Sequence, residues 1–220
     1  MIKAVILDMD GTMFDTETLM FKAWEHASQE LQCKSAKEII AKSMGLTPVH
    51  MKKLFLDSLG MDFPYEAFIR FGKDYSADYI QKHGIPVKPG LYELLNYLKE
   101  NGYKIAVATS TAKNSAMKHF ERAKVTEYFD QIICGDMLEK SKPDPDIYLK
   151  AADALKIAPQ ECMALEDSPN GLTSAYRAGM KTVMIPDLIA PNAELEKMLF
   201  ACVPSLNDVI PLLEEQKAEQ

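Results

Sequence analysis

Lys3-Ala4-Val5-Ile6-Leu7-Asp8-Met9-Asp10-Gly11-Thr12 runs from a short apolar segment, β-branched at Val5 and Ile6, straight into two acids and a glycine. The apolar part reads as a buried strand that ends in a loop. Side chains alternate along a strand, so Asp8 and Asp10 project to one side and Met9 to the other. Asp-Gly after a strand also makes an ordinary turn. Two carboxylates this close repel, however, unless a cation or a shared proton intervenes, and a hard metal such as Mg²⁺ is the natural third party. Gly11 permits a turn or a close backbone approach, and Thr12 adds a hydroxyl.

The chain has 220 residues, 47% of them apolar, enough for one large α/β domain or two smaller ones with a substantial core. No apolar run of membrane-spanning length occurs, and acids at positions 8 and 10 spoil any leader-like start, so a cytoplasmic protein with no membrane partner is expected. The four cysteines, Cys33, Cys134, Cys162 and Cys202, form no C-x-x-C pair and read as reduced core thiols. A net charge of −7 without a basic block argues against nucleic acid, which demands a cationic stripe. Small anionic substrates remain compatible if a metal and a few local cations reverse the field in a pocket.

After the opening strand, residues 14–84 show no strand pattern. Leu19-Met20, Ala23-Trp24 and Ala27, then Ile39-Ile40, then Met51, Leu54-Phe55 and Leu59, then Phe68-Ile69, Tyr75 and Tyr79-Ile80 recur at helical spacing. Gly45-Leu46-Thr47-Pro48 and Gly60-Met61-Asp62-Phe63-Pro64 punctuate them as loops. From Gly84-Ile85-Pro86 the pattern becomes helix then strand, repeated, as in a parallel sheet with crossover helices. Leu91, Leu94, Leu95 and Leu98 line one helix face ahead of Asn101-Gly102. Strands are expected at 104–108, 131–134, 162–165, 182–185 and 201–203. Helices are expected at 112–123, from Pro143, at 170–178 and at 205–213, with a fraying tail from Glu214. The domains expected are a core of residues 1–14 and 86–220 and a helical insertion of residues 15–85.

Ligands of open α/β sheets bind beyond the carboxyl ends of the strands, near the point where strand order reverses. The polar residues due there are Asp8 and Asp10, Thr109-Ser110-Thr111, Gly135-Asp136, and Glu166-Asp167. Thr109 and its neighbours sit where hydroxyls and free N–H groups hold a phosphate, although one of them also suits a helix N-cap. Lys142, ahead of Pro143, would normally be solvated, but a site rich in carboxylates calls for a cation. Glu166 and Asp167 at a buried strand end suggest metal ligation, and either also suits an N-cap. Asp136 reads as a ligand or a loop residue. His26, His50, His83 and His119 share no spacing and read as surface residues.

Taken in order, Asp8-Met9-Asp10-Gly11-Thr12, Thr109, Lys142-Pro143, and Glu166-Asp167 with Gly171 and Ala178-Gly179 resemble the four motifs of the haloacid dehalogenase superfamily, in its phosphatase and phosphomutase branch. The resemblance implies a Rossmann-like parallel α/β core with an inserted α-helical cap that closes over the site. It implies Asp8 as nucleophile and Asp10 as general acid and base. Mg²⁺ would be held by Asp8, the backbone carbonyl of Asp10 and Asp167, with Glu166 close by or acting through water. Thr109 and Lys142 would hold the phosphoryl group, and Ser110, from its place after the strand, is a further phosphate-binding candidate. A halide leaves without a proton, so an acid at position 10 favours phosphate esters of a small metabolite, such as a sugar or polyol. The nearest branch is β-phosphoglucomutase-like. Met20 and Pro48, however, stand where that branch carries a histidine and an arginine, which favours water over a second sugar hydroxyl as phosphoryl acceptor. A non-catalytic binding protein is the reading from another class.

Overall fold

The computed structural model describes residues 1–33, 36–43 and 48–218. Within it the chain forms two compact units, one of Met1–Asp15 with Val87–Gln220 and one of Thr16–Pro86. The first opens with β1 (Ala4–Leu7), whose residues are all fully buried. The second comprises α1 (Thr16–Glu30), α2 (Ala36–Ser43), α3 (Pro48–Leu59) and α4 (Tyr65–His83). The first unit then resumes with α5 (Leu91–Glu100), β2 (Lys104–Thr109), α6 (Lys113–Ala123), β3 (Gln131–Cys134), α7 (Asp146–Leu155), β4 (Cys162–Glu166), α8 (Pro169–Arg177), β5 (Lys181–Met184), α9 (Ala193–Glu196), β6 (Ala201–Cys202) and α10 (Val209–Ala218). Among the described residues no helix is long and apolar enough to cross a membrane.

The strands make a six-stranded parallel sheet in the order β3-β2-β1-β4-β5-β6. This is the parallel sheet that the repeated helix-strand pattern predicts, in the Rossmann-like arrangement that the resemblance implies. The order reverses between β1 and β4, so their carboxyl ends flank the switch-point crevice. Register is in phase there, with Ile6 level with Ala106 on one side and Ala164 on the other. Small side chains on this face, Ala4, Ala106, Ala108 and Ala164, let α7 approach closely with Ile147, Tyr148 and Ala151. The alternate residues Val5, Leu7, Val107 and Leu165 are also fully buried, as expected for a sheet covered on both faces.

Several boundaries differ from the sequence reading. The helix expected from Pro143 starts at Asp146, because Asp144-Pro145-Asp146 first makes a turn, and the Lys142–Pro143 peptide is cis. The helix α9 is too short to show periodicity and is set by Asn192, whose side chain accepts the N–H groups of Glu194 and Leu195. The tail does not fray at Glu214: α10 continues to Ala218. Leu213 is buried, Lys181 bonds to Gln216, and Lys217 bonds to Asn101 while lying over the rings of Tyr97 and Tyr103. Glu219 and Gln220 lie outside the described residues, as do Gly45, Leu46 and Thr47 of the first expected loop. Cys134 and Cys162 are buried thiols as expected, but Cys202 is exposed on the edge strand β6.

The helical unit has its own core. Trp24 of α1 stacks on Phe68 of α4 at 5.1 Å, and Phe55 of α3 meets Phe68 at 4.7 Å. Gly72 of α4 makes this packing possible, since a β-carbon there would overlap the Trp24 ring. Alanine normally stabilises a helix relative to glycine, by up to about 1 kcal/mol. At Gly72 the sign should reverse: Gly72→Ala is expected to destabilise this unit by about 1–3 kcal/mol through overpacking. Trp24 is the chain's single tryptophan, so denaturant unfolding followed by its fluorescence reads the effect directly. An unchanged midpoint would show that the ring has room to move.

Candidate active site

Strand parity decides which acids meet. Along β1 the series Ala4, Ile6, Asp8 faces α7, and along β4 the series Cys162, Ala164, Glu166 does the same. The buried carboxyls of Asp8 and Glu166 therefore end on one side of two adjacent strands, and Lys142 reaches in between them. Its ammonium lies 2.5 Å from Asp8 Oδ1 and 2.6 Å from Glu166 Oε1, and donates to the Ala108 carbonyl at 2.9 Å. These three acceptors use all three ammonium protons. Burial alone would lower the lysine's pKa, but the two carboxylates outweigh it and hold it above its ordinary value, so Lys142 is fully charged.

Glu166 is fully buried and its oxygens are committed. Oε1 accepts from Lys142 and from the Tyr148 hydroxyl at 3.0 Å, while Oε2 accepts from the N–H groups of Asp167 and Ser168 and from Ser168 Oγ. Gly171 makes room for it, because a β-carbon there would collide with the carboxylate. Neither Glu166 nor Asp167 caps α8: Ser168 does, accepting the Gly171 N–H at 3.1 Å. Glu166 thus orients Lys142 and the loop after β4.

Asp167 hangs from that loop and receives Thr12 Oγ1 on Oδ1 at 2.9 Å. Its other oxygen packs over Gly11, where φ is 83° and a β-carbon would overlap it, so the glycine serves both the turn and the acid. Asp8, Glu166 and Asp167 each bring a carboxylate oxygen within 4.8 Å of the others. Burial, then the charges of Glu166 and Asp8, push the Asp167 pKa up from 3.8 to about 9. For Asp8, burial outweighs the pull of Lys142, and with the charges of Glu166 and Asp10 the pKa rises to about 8. Converging hard oxygen donors with more negative charge than one ammonium offsets fit a divalent cation such as Mg²⁺.

Asp10 accepts Thr111 Oγ1 on Oδ2 at 2.7 Å. Thr109 is buried at the end of β2, with its hydroxyl oxygen accepting the Thr111 N–H at 3.1 Å. Ser110 is exposed, and its carbonyl packs against Gly135. Neither threonine caps α6. Asp136 does so from the loop after β3, accepting the Lys113 N–H at 3.1 and 3.2 Å, which settles the open choice for that acid. His119 departs from expectation. It is half-buried and packs edge-on against Phe14, and its Nδ1 is buried with no hydrogen-bond partner among the described residues. Burial lowers its pKa despite the nearby charge of Asp10. Thr111 and Tyr148 carry no motif signal that singles them out. The only signal that could have found Tyr148 is its helical spacing with Ala151 and Ala152.

Comparison with known proteins places these residues in context. Residues 5–185 match the model of the haloacid dehalogenase-like hydrolases. The chain is 28% identical to a phosphorylated carbohydrates phosphatase of Thermotoga maritima, over 97% of this chain and 91% of that protein. It is 31% identical to β-phosphoglucomutase of Bacillus subtilis, over 83% and 82% respectively. Among solved structures it resembles a CbbY variant of Rhodobacter sphaeroides in complex with xylulose-(1,5)-bisphosphate. The TM-score is 0.73 at 26% identity, covering 94% of this chain and 96% of that one.

The raised carboxyls give a stability signature of fixed sign. Without an ion the folded protein keeps protons on Asp8 and Asp167 that the unfolded chain releases above about pH 4. Their contribution is therefore complete below that pH and is lost as pH rises through about 8 and 9. A cation binds the deprotonated acids, so its stabilisation grows in the opposite direction. The melting temperature in excess Mg²⁺ minus that in chelator should widen from pH 5 to pH 9. A constant gap, or one that widens toward acid, would contradict the cation site.

Proposed function

The chain belongs to the haloacid dehalogenase-like hydrolase family, and from that premise we propose that it is a Mg²⁺-dependent phosphatase of a small phosphorylated metabolite, of the sugar or polyol phosphate class. The observation that carries this reading is the Asp8 carboxylate, buried at the switch point against a charged lysine, with a second acid two residues on. Asp8, the backbone carbonyl of Asp10 and Asp167 would hold the ion, with Glu166 alongside. When bound, it would keep the acids ionised at neutral pH and offset phosphoryl charge.

Asp8 attacks phosphorus in line, forming an acyl phosphate as the ester P–O bond breaks. The electron pair goes to the leaving oxygen, which takes a proton from Asp10. Water then attacks phosphorus, gives its proton to Asp10, and releases inorganic phosphate and the Asp8 carboxylate. Lys142 neutralises charge beside Asp8, and Thr109 and Ser110 would hold phosphoryl oxygens. Phosphate monoesters hydrolyse so slowly that on the order of 20 kcal/mol of barrier must be removed, which no single residue supplies. The substrate class is supported by the relatives that act on, or are crystallised with, phosphorylated sugars.

The identity to a β-phosphoglucomutase favours a second reading, in which the phosphoryl group passes to another sugar hydroxyl. Met20 and Pro48, in place of that branch's histidine and arginine, favour water instead. Two measurements test the proposal. Asp8→Asn, or a chelator, should abolish phosphate release from p-nitrophenyl phosphate, a loss of at least about 10³-fold. Activity surviving both removes Asp8 from the mechanism. With hexose 1-phosphates, released phosphate should exceed isomer, and isomerisation outpacing release would favour the mutase.

A further inference from the structure

We infer that Thr111 is a positioning residue for Asp10, holding the general acid in the orientation from which it protonates the leaving group. The inference rests on the assignment of Asp10 as acid and base, and it adds a residue outside the family's motifs. Three bonds fix Thr111. Its N–H donates to Thr109 Oγ1 at 3.1 Å, its carbonyl accepts the Gly135 N–H at 3.2 Å, and its hydroxyl donates to Asp10 Oδ2 at 2.7 Å. A backbone tied on both sides leaves the hydroxyl little choice of direction.

The usual employment of a threonine just ahead of a helix is closed to it. The N-cap position of α6 is Ala112, and the N–H of Lys113 is satisfied by Asp136 from the neighbouring loop. With the cap supplied from elsewhere, the Thr111 hydroxyl serves the acid. A carboxyl on a short side chain rotates about two bonds, and a short hydrogen bond to one oxygen fixes that rotation. A hydroxyl is both donor and acceptor, so it partners Asp10 ionised or protonated, the two states through which the acid cycles.

Leaving-group dependence separates this role from a structural one. p-Nitrophenolate departs without a proton, whereas the alkoxide of glycerol phosphate requires one. The quantity to compare is kcat/KM, which covers only the steps through release of the first product and so omits hydrolysis of the acyl phosphate. Thr111→Val should lower kcat/KM for glycerol phosphate about tenfold or more and change that for p-nitrophenyl phosphate less than about threefold. Thr111→Ser, which keeps the hydroxyl, should restore the glycerol phosphate value to within about threefold of the parent. Equal losses on both esters, or failure of serine to restore, would overturn the inference. Asp10→Asn run alongside identifies which idea has failed. If it also slows both esters equally, the acid role of Asp10 falls. If its loss is selective and that of Thr111→Val is not, only the role of Thr111 falls.

Discussion

One ammonium shared by two buried carboxylates organises the catalytic end of this molecule. Lys142 arrives from the segment ahead of α7, Asp8 from the end of β1 and Glu166 from the end of β4, and they meet because both strands turn the same parity of residue toward α7. The alanines on that face bring α7 close enough for the Tyr148 hydroxyl to complete the coordination of Glu166. Removing the lysine would leave two buried acids facing each other, a loss of the order of 3–5 kcal/mol for a broken buried pair. The same contact fixes the position of Asp8, so the stability of this end and the reactivity proposed for Asp8 both depend on Lys142.

Charge balance then determines what else the site requires. Asp8, Glu166 and Asp167 converge, with Asp10 two residues from Asp8, and burial lifts Asp8 and Asp167 far above the ordinary carboxylate range. In the proposed reaction Asp8 must be ionised to attack, so a protonated Asp8 would be inert. The burial that raises these carboxyls therefore also calls for a cation. Gly11 and Gly171 are part of this arrangement, since each gives up a β-carbon so that an acid can sit against the backbone.

Much of this was legible in the chain. The strands show as apolar runs that end in polar clusters, and the helix-strand alternation implies a parallel sheet with those clusters on one rim. Asp8, Thr109 and Glu166 then fall at strand ends by position alone, while Lys142, eight residues beyond β3, stands out only as the cation that such acids call for. What stayed hidden depends on partners distant in sequence. That Glu166 is saturated with donors follows from Tyr148 and Ser168, that Asp136 caps α6 follows from β3 lying beside β2, and that Thr111 serves Asp10 follows from that cap. Two segments were misjudged for the same reason. The tail from Glu214 is polar enough to fray, yet Lys217 lies over Tyr97 of α5 and bonds to Asn101 just beyond it, Gln216 bonds to Lys181 of β5, and His119 lacks any motif but rests half-buried against Phe14.

The nucleophilic role of Asp8 is tested most directly by catching the acyl phosphate. Enzyme turning over a phosphate ester with Mg²⁺ is quenched and treated with borohydride, which reduces an aspartyl phosphate to homoserine, and the peptides are sequenced by mass spectrometry. Homoserine at position 8, dependent on both substrate and metal, is the expected result. Reduction at another acid, or steady phosphate release without the label at position 8, would contradict it.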